Sequence, residues 1–344
     1  MRKSWTILIH RDYMQGSASP SAPRAMQIFR HPADLPPALR GGAVALGNFD
    51  GVHEGHRAVI RQAIKAAHDL AVPSGVVTFE PHPRSLFRPD DAPFRLTPLR
   101  IKARLIEAMG VDALFALHFD KTFSQLTATD FVRQVLVEGL GARHVVAGYD
   151  FVFGHGRGGN IAFLREAGAH YGFGVTEVRP VTAEGGIAYS STRIRQHLQA
   201  GEMDAAASLL GHAWEIEGRV EHGDKRGRTI GFPTANIELG DYLRPRFGVY
   251  AIQAGIDQGG ETIWHGGVAN LGRRPTVGGL VERLEVHLFD FQGDLYGKHL
   301  RVRMLDFVRP EMKFESFDAL KAQIIADSDE ARRRLASGIF PPPP

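Results

Sequence analysis

The chain has no cysteine. That excludes disulfide staples, thiolate metal ligands and thiol nucleophiles, and it fits a reducing compartment such as the cytoplasm. Long apolar runs are missing too, so no segment reads as a membrane span. The early Arg2-Lys3 and the short Trp5–Ile9 run fall below a signal-peptide core, and no cleavage site follows. Charge of one sign is scarce: 41 Lys+Arg against 38 Asp+Glu leave a formal charge of +3. This does not argue for a nucleic-acid partner, although a pI near 9.2 suits anionic ligands. What is present, 344 residues with 43% hydrophobic and 23% charged, is an ordinary soluble globular composition sufficient for about two domains.

The most informative stretch runs from Leu46 to His56, with Gly47, Asn48, Phe49, Asp50, Gly51, His53 and Gly55 between. Ala43–Leu46 before it reads as a buried strand, and Ala58, Val59, Ile64, Ala67 and Leu70 after it recur at helical spacing. The stretch is therefore a strand–turn–helix junction whose glycines let a ligand approach the backbone. Free N–H groups and the positive end of the helix dipole favour a phosphate there. Two histidines three residues apart share one face of the first turn and are suited to stabilising charge on a nucleotide under attack. The residues alone also allow a Gly-rich turn with a surface His pair, or a partial zinc site that lacks a third ligand.

Further along, strands are expected at Ser74–Phe79, Ala113–Phe119, His144–Ala147 and Val175–Val178. Helices are expected at Thr97–Met109 (with Arg/Lys on its polar side), Thr129–Leu140 and Ile161–Tyr171. Alternation of this kind predicts a parallel, doubly wound sheet. The strand Ser74–Phe79 runs into Glu80-Pro81-His82-Pro83, a rigid turn at the sheet's ligand-binding edge. Gly154, Gly156 and Gly159 formally match G-x-G-x-x-G, which keeps a nicotinamide dehydrogenase as a rival reading. Ser190-Ser191-Thr192-Arg193-Ile194-Arg195 opens another helix, and its hydroxyls and arginines suit either a phosphate grip or a plain cap with a solvated basic turn. Past Gly211 helical periodicity gives way to Trp214–Val220, Gly248–Ala254, Thr262–Val268, Leu284–Phe291 and His299–Phe307, which predict an antiparallel sheet or barrel. Ser316–Leu335 closes as an amphipathic helix.

In this second half Gly227-Arg228 lead to Pro233-Thr234-Ala235-Asn236. A glycine loop supplies backbone donors for phosphate, and Thr234 and Asn236, two residues apart in an extended chain, project to one side. Neutral oxygens of that kind suit a Mg²⁺ that also holds ATP phosphates; a turn with a capping Thr is the plainer alternative. Glu285 alternates with Leu284 and Val286 along a strand and shares its face with Arg283 and His287. A solvated polar face would account for it, and so would the carboxylate that a kinase needs to orient an accepting hydroxyl.

Taken together, H-x-G-H after G-x-F-D-G, the Gly148–Asn160 loop, S-S-T-x-I-R, P-T-A-N and E-x-H-L resemble the bacterial bifunctional riboflavin kinase/FAD synthetase family, in that family's order, from Met26 to Leu335. The resemblance implies an α/β chain: an N-terminal doubly wound parallel-sheet nucleotidyltransferase (Rossmann-like) domain over 26–210, then a C-terminal antiparallel β-barrel domain with a terminal helix over 211–336. Residues 1–25 would be a disordered arm and 337–344 a disordered Pro-rich tail. It implies phosphorylation of riboflavin to FMN and adenylylation of FMN to FAD, with ATP as co-substrate and Mg²⁺ as cofactor. His53, His56 and Glu285 would be catalytic. ATP would be bound by Gly47, Phe49, Asp50, Gly51, His53, His56, Ser191, Thr192, Arg195, Gly227, Arg228 and Thr234. Flavin would meet Asn48, Asp150, Phe151, Phe153, Arg309 and Phe314, and Thr234 with Asn236 would hold the metal. The family often has Asp where this chain has Asn160. The partners are then small molecules, with no nucleic acid and no membrane; a homo-oligomer is left open. Rivals are an adenylyltransferase for another phosphorylated acceptor and a non-catalytic flavin or dinucleotide binder.

Overall fold

The computed structural model describes residues 25–182, 186, 188–222, 232–257, 262–276 and 279–338. The first half is a six-stranded, all-parallel sheet in the order β1-β4-β3-β2-β5-β6. Its strands are β1 (Gln27–Phe29), β2 (Ala43–Leu46), β3 (Ser74–Glu80), β4 (Ala113–His118), β5 (His144–Gly148) and β6 (Gly174–Val178). Every residue of β2 and β3 is buried, as helices on both faces of a parallel sheet require. The strand order reverses between β2 and β5, and the crevice outside their carboxyl ends is where such sheets take ligands.

Helix α1 (Glu54–Leu70) follows β2, α2 (Pro83–Phe87) follows β3, and α3 (Leu99–Glu107) precedes β4. The expected helix after Thr127 forms, with the Thr127 hydroxyl capping it, but from Phe131 to Gly139 it is π-helical. Then come α4 (Ile161–Tyr171), α5 (Ser191–Ala200) and α6 (Met203–Leu210); α5 and α6 end on the left-handed Gly201 and Gly211. Strand β1 was not expected: three residues carry too little periodicity to be read.

After Gly211 the topology changes to an antiparallel sheet ordered β7-β12-β9-β10-β11-β8. Its strands are β7 (Trp214–Arg219), β8 (Ala235–Glu238), β9 (Gly248–Ile256), β10 (Trp264–Thr276), β11 (Gly279–Leu288) and β12 (His299–Pro310). A bridge between Glu221, just past β7, and Asn236 of β8 draws the two sheet edges together into a nearly closed barrel. Helix α7 (Phe317–Ser337), capped by the Ser316 hydroxyl, lies across the barrel's outside.

One apolar core runs through both halves, from Ala45, Val76 and Ile106 to Trp214, Tyr250 and Val302. Polar contacts reinforce it. The Trp214 indole donates to Leu96 O at 2.9 Å, and the main chain of Arg95 pairs with Asp241 and Leu243. Arg104 meets Glu215 and Glu217, and Arg100 meets Asp257. The expected polar side of α3 therefore faces the barrel and the interior more than solvent, and Lys102 is fully buried. Periodicity marks a polar face but cannot tell what covers it.

Candidate active site

The loop between β2 and α1 is set by backbone choices that the sequence only partly announces. Phe49 and Val52 have φ of +48° and +42°. For a β-branched valine that is a costly conformation, of the kind that persists where surrounding structure enforces it. Gly47 is needed here because a Cβ would stand 2.9 Å from the Phe49 ring. The loop delivers His53 as the N-cap of α1, its Nδ1 accepting from the His56 N–H at 3.3 Å. That bond leaves the proton of the neutral ring on Nε2, so His53 offers an Nε2–H donor.

The two imidazoles stack at 3.6 Å, and Phe49 meets His56 edge-on at 5.5 Å. Burial, only partly opposed by the Asp50 carboxylate, pushes His53 down to about 4. Burial, then the neighbouring His53 and Lys102, hold His56 well below the ordinary histidine range. Both rings are thus neutral near pH 7, and His56 Nδ1 is buried without a hydrogen-bond partner among the described residues. An anion at the helix N-terminus would find neutral N–H donors and the helix dipole.

Asp50 fixes the loop from beneath. Its carboxylate accepts from Leu96 N and Thr97 N at 3.0 Å each and from the Arg195 guanidinium at 2.6 Å. Ser191 Oγ donates to Asp50 O at 2.9 Å, and Gly51 N donates to Thr97 Oγ1 at 2.7 Å. The N-terminus of α5 is thereby pinned against that of α1, which brings Ser191 and Arg195 together with the His53/His56 turn. Thr192 lies on the exposed side of the first turn of α5, whose cap is Ser190. Asp50 is only 2% exposed, and its carboxylate is engaged by the 96–97 segment, by Arg195 of α5 and, at 3.9 Å, by Arg95. Asn48 is exposed, with its carbonyl held from inside by Lys102 and Thr78.

Across the switch point, β5 delivers Asp150, which is exposed, and Phe151, half-buried and stacked on Phe153 at 5.8 Å. Phe153 itself is core, packed on Phe131 and Phe163. Two glycines of the G-x-G-x-x-G match serve this packing, while Gly156 stands in open space with a φ of +62°. A Cβ on Gly154 would meet Ala128 N at 2.6 Å, and one on Gly159 would meet the Phe153 ring at 2.5 Å. Asn160 has a defined place as N-cap of α4, accepting from Phe163 N at 3.0 Å, a role that Asp fills equally well.

In the barrel, β8 is a strand that composition did not reveal, since four residues after a proline make no pattern. Its register puts Asn236 opposite Glu285 of β11, and Glu285 opposite Asn270 of β10. Directly paired residues share a face, so three polar side chains line up across neighbouring strands. Asn270 stands in the Gly267–Gly272 stretch upstream of Glu285, to which the residues alone assign no separate role, and only the register brings it beside Glu285. Thr234 and Asn236 line a cavity of about 80 Å³ with Tyr296 and Phe291; Glu285 is not in its wall. Gly227 and Arg228 lie outside the described residues. Arg309 is bound bidentately to Asp327 of α7 at 2.8 and 2.6 Å, with Phe314 at 5.8 Å from its guanidinium, so its charge ties the helix to β12. Among the described residues no cluster of three or more His, Asp or Glu could hold a metal.

Two family models match successive parts of the chain. The family model described as FAD synthetase matches residues 35–193, and that described as riboflavin kinase matches residues 210–335. The chain is 44% identical over 308 residues to the bifunctional riboflavin kinase/FMN adenylyltransferase of Escherichia coli K12, covering 89% of this chain and 97% of that one. It is equally 44% identical over 312 residues to the Pseudomonas fluorescens protein of the same name, covering 90% and 98%. A crystal structure from Streptococcus pneumoniae, described as a macrolide-efflux protein, superposes with a TM-score of 0.76 at 33% identity, covering 90% of this chain and 99% of that one.

Proposed function

The chain belongs to the bifunctional riboflavin kinase/FMN adenylyltransferase family, and from that premise we propose how its two halves divide the chemistry. It is an enzyme that phosphorylates riboflavin with ATP to give FMN and adenylylates FMN with ATP to give FAD and pyrophosphate. The efflux in the streptococcal protein's description belongs to that protein and is not carried over. No described helix is long and apolar enough to cross a membrane. We place the enzyme in the cytoplasm, which the absence of cysteine suits.

Adenylylation belongs, on this reading, to the first half, 26–210, and the carrying observation is the meeting of the α1 and α5 N-termini over Asp50. The triphosphate lies across these N-termini. His53 and His56 donate to the phosphate oxygens as charge builds at the α-phosphorus, while the first turn of α5, with Ser191, Thr192 and Arg195, faces the departing pyrophosphate. The FMN phosphate attacks from the β5 side, where Asp150 and Phe151 border the flavin. Little covalent work is asked of the protein; positioning and charge neutralisation carry the step.

Phosphorylation belongs to the barrel, 211–336. Glu285 orients the riboflavin 5′-hydroxyl and takes its proton as the γ-phosphoryl group transfers and ADP leaves. Thr234 and Asn236 fit a Mg²⁺ bound mainly through ATP phosphates, because they offer two neutral oxygens at a cavity wall. Such an ion would neutralise phosphate charge.

The test is a time course with riboflavin, excess ATP and Mg²⁺, the flavins being separated by chromatography. Wild type gives FMN and then FAD. His53→Ala keeps FMN formation and loses FAD. Glu285→Gln loses FMN formation yet still converts supplied FMN to FAD. Equal loss of both activities in either variant would sink the assignment of separate sites.

A further inference from the structure

Beneath the β2–α1 loop lies a buried cluster that the mechanism above leaves unused. Lys102 of α3 is entirely buried, and its ammonium group has three acceptors: Asn48 O at 2.8 Å, Glu80 Oε1 at 3.0 Å and Thr78 Oγ1 at 3.2 Å. An ammonium has three donors, so each is used. Thr78 Oγ1 also donates to Asn48 O at 3.1 Å. The carbonyl that begins the strained Asn48–Val52 turn is thus held from below by two donors. Glu80 is shared with Arg95, whose guanidinium contacts it at 2.8 and 3.2 Å and lies 3.9 Å from Asp50. The cluster sets the cations Lys102, Arg95 and Arg195 against the carboxylates of Asp50 and Glu80. Asp241 reaches Arg95 from the side at 3.5 Å, so with His53 and His56 neutral the three cations are matched by three carboxylates.

We propose that Lys102 is a positioning residue for adenylylation, holding the nucleotide loop in its left-handed conformation through the Asn48 carbonyl. The inference rests on the assignment of adenylylation to the first half. A buried lysine is expensive, and burial lowers its proton affinity against the pull of Glu80. A residue serving packing alone would be apolar. Removing the ammonium leaves Glu80 its Arg95 partner, but it leaves Asn48 O with Thr78 alone. The loop then relaxes from its positive φ values, and the His53–His56 pair shifts relative to the α5 N-terminus. Displacements of about 1 Å in such positioning cost on the order of 100-fold in rate.

The experiment uses the whole enzyme and two variants, Lys102→Met, nearly isosteric, and Thr78→Val, which removes the second donor to Asn48 O. FMN formation in the barrel serves as the internal control for folding. FAD formation from supplied FMN is expected to fall roughly 10- to 100-fold in kcat for Lys102→Met and less for Thr78→Val, FMN formation changing less than about twofold. If Lys102→Met fails to fold, a FAD-selective loss in Thr78→Val carries the same conclusion. Unchanged FAD formation, or proportional loss of both reactions in both variants, would overturn the proposal. Failure of the wild type to make FAD, or of His53→Ala to separate the two reactions, would instead overturn the assignment on which it rests.

Discussion

Substituting Asp50 in two steps separates its charge from its role as a main-chain acceptor. In Asp50→Asn the side-chain oxygen still accepts from Leu96 N and Thr97 N, and what is lost is the charged bond to Arg195 at 2.6 Å. A hydrogen bond to a charged group contributes about 1.5–3 kcal/mol. Arg195 retains Phe94 O at 2.8 Å and is 17% exposed, so part of the loss is relieved by solvent. The expected destabilisation is therefore about 2 kcal/mol. In Asp50→Ala two buried N–H groups also lose their acceptor, at about 1–3 kcal/mol each, and the total rises to about 4–8 kcal/mol. Urea unfolding at pH 7 with a common m-value reads both.

Acid provides a second check on the same group. Burial alone would raise the Asp50 pKa, but Arg195, Arg95, the Thr97 N–H and Lys102 outweigh it and hold it below the ordinary carboxylate value. A carboxylate depressed in the folded state stabilises fully above its unfolded pKa, about 4, and loses that contribution as pH falls through the folded value. The gap between wild type and Asp50→Asn should therefore close in acid. Equal destabilisation by Asn and Ala, or a gap that widens in acid, would refute this account of the carboxylate.

The remaining predictions concern His53 and Asn160. His53, buried with a pKa of about 4 in the folded state, resists a proton that the unfolded chain accepts near 6.5. Its contribution is lost as pH falls from about 6.5 toward 4, costing about 2 kcal/mol between pH 7 and pH 5. His53→Asn, which keeps an N-cap acceptor without a titrating ring, should be that much less acid-sensitive in denaturant melts; identical pH dependence would count against a neutral buried imidazole. Asn160→Ala removes the α4 cap and should lower stability by about 1 kcal/mol. Asn160→Asp should lose little, and an equal loss in both would show that the cap is not what stabilises α4.

Much of this was legible in the residues. The β2–α1 junction, the alternation of strands and helices, the change of topology at Gly211 and the hydroxyl caps at Thr127, Ser190 and Ser316 are all written locally. Short strands were not: β1 and β8 hold three and four residues, too few for a period, and exist because β4 and β11 offer them partners. The aromatic pair Phe151 and Phe153 reads as one unit in sequence, yet only Phe153 is sealed in the core. Arg309 matches a flavin-proximal segment by pattern, while in three dimensions its guanidinium is bound to Asp327.

By itself the sequence determined the kind and order of the longer elements and the turns and caps that bound them. Periodicity, glycine conformation and capping act over a few residues, and nothing distant is needed to express them. The tertiary structure alone decided which charges are buried and which strands adjoin. Lys102 sits on a helix whose basic side reads as polar from the sequence, yet it is fully buried in the fold. Asn236, Glu285 and Asn270 come from three separate strands and become neighbours only through register. Burial and pairing depend on groups far apart in the chain, and their energies exist only once those groups have met.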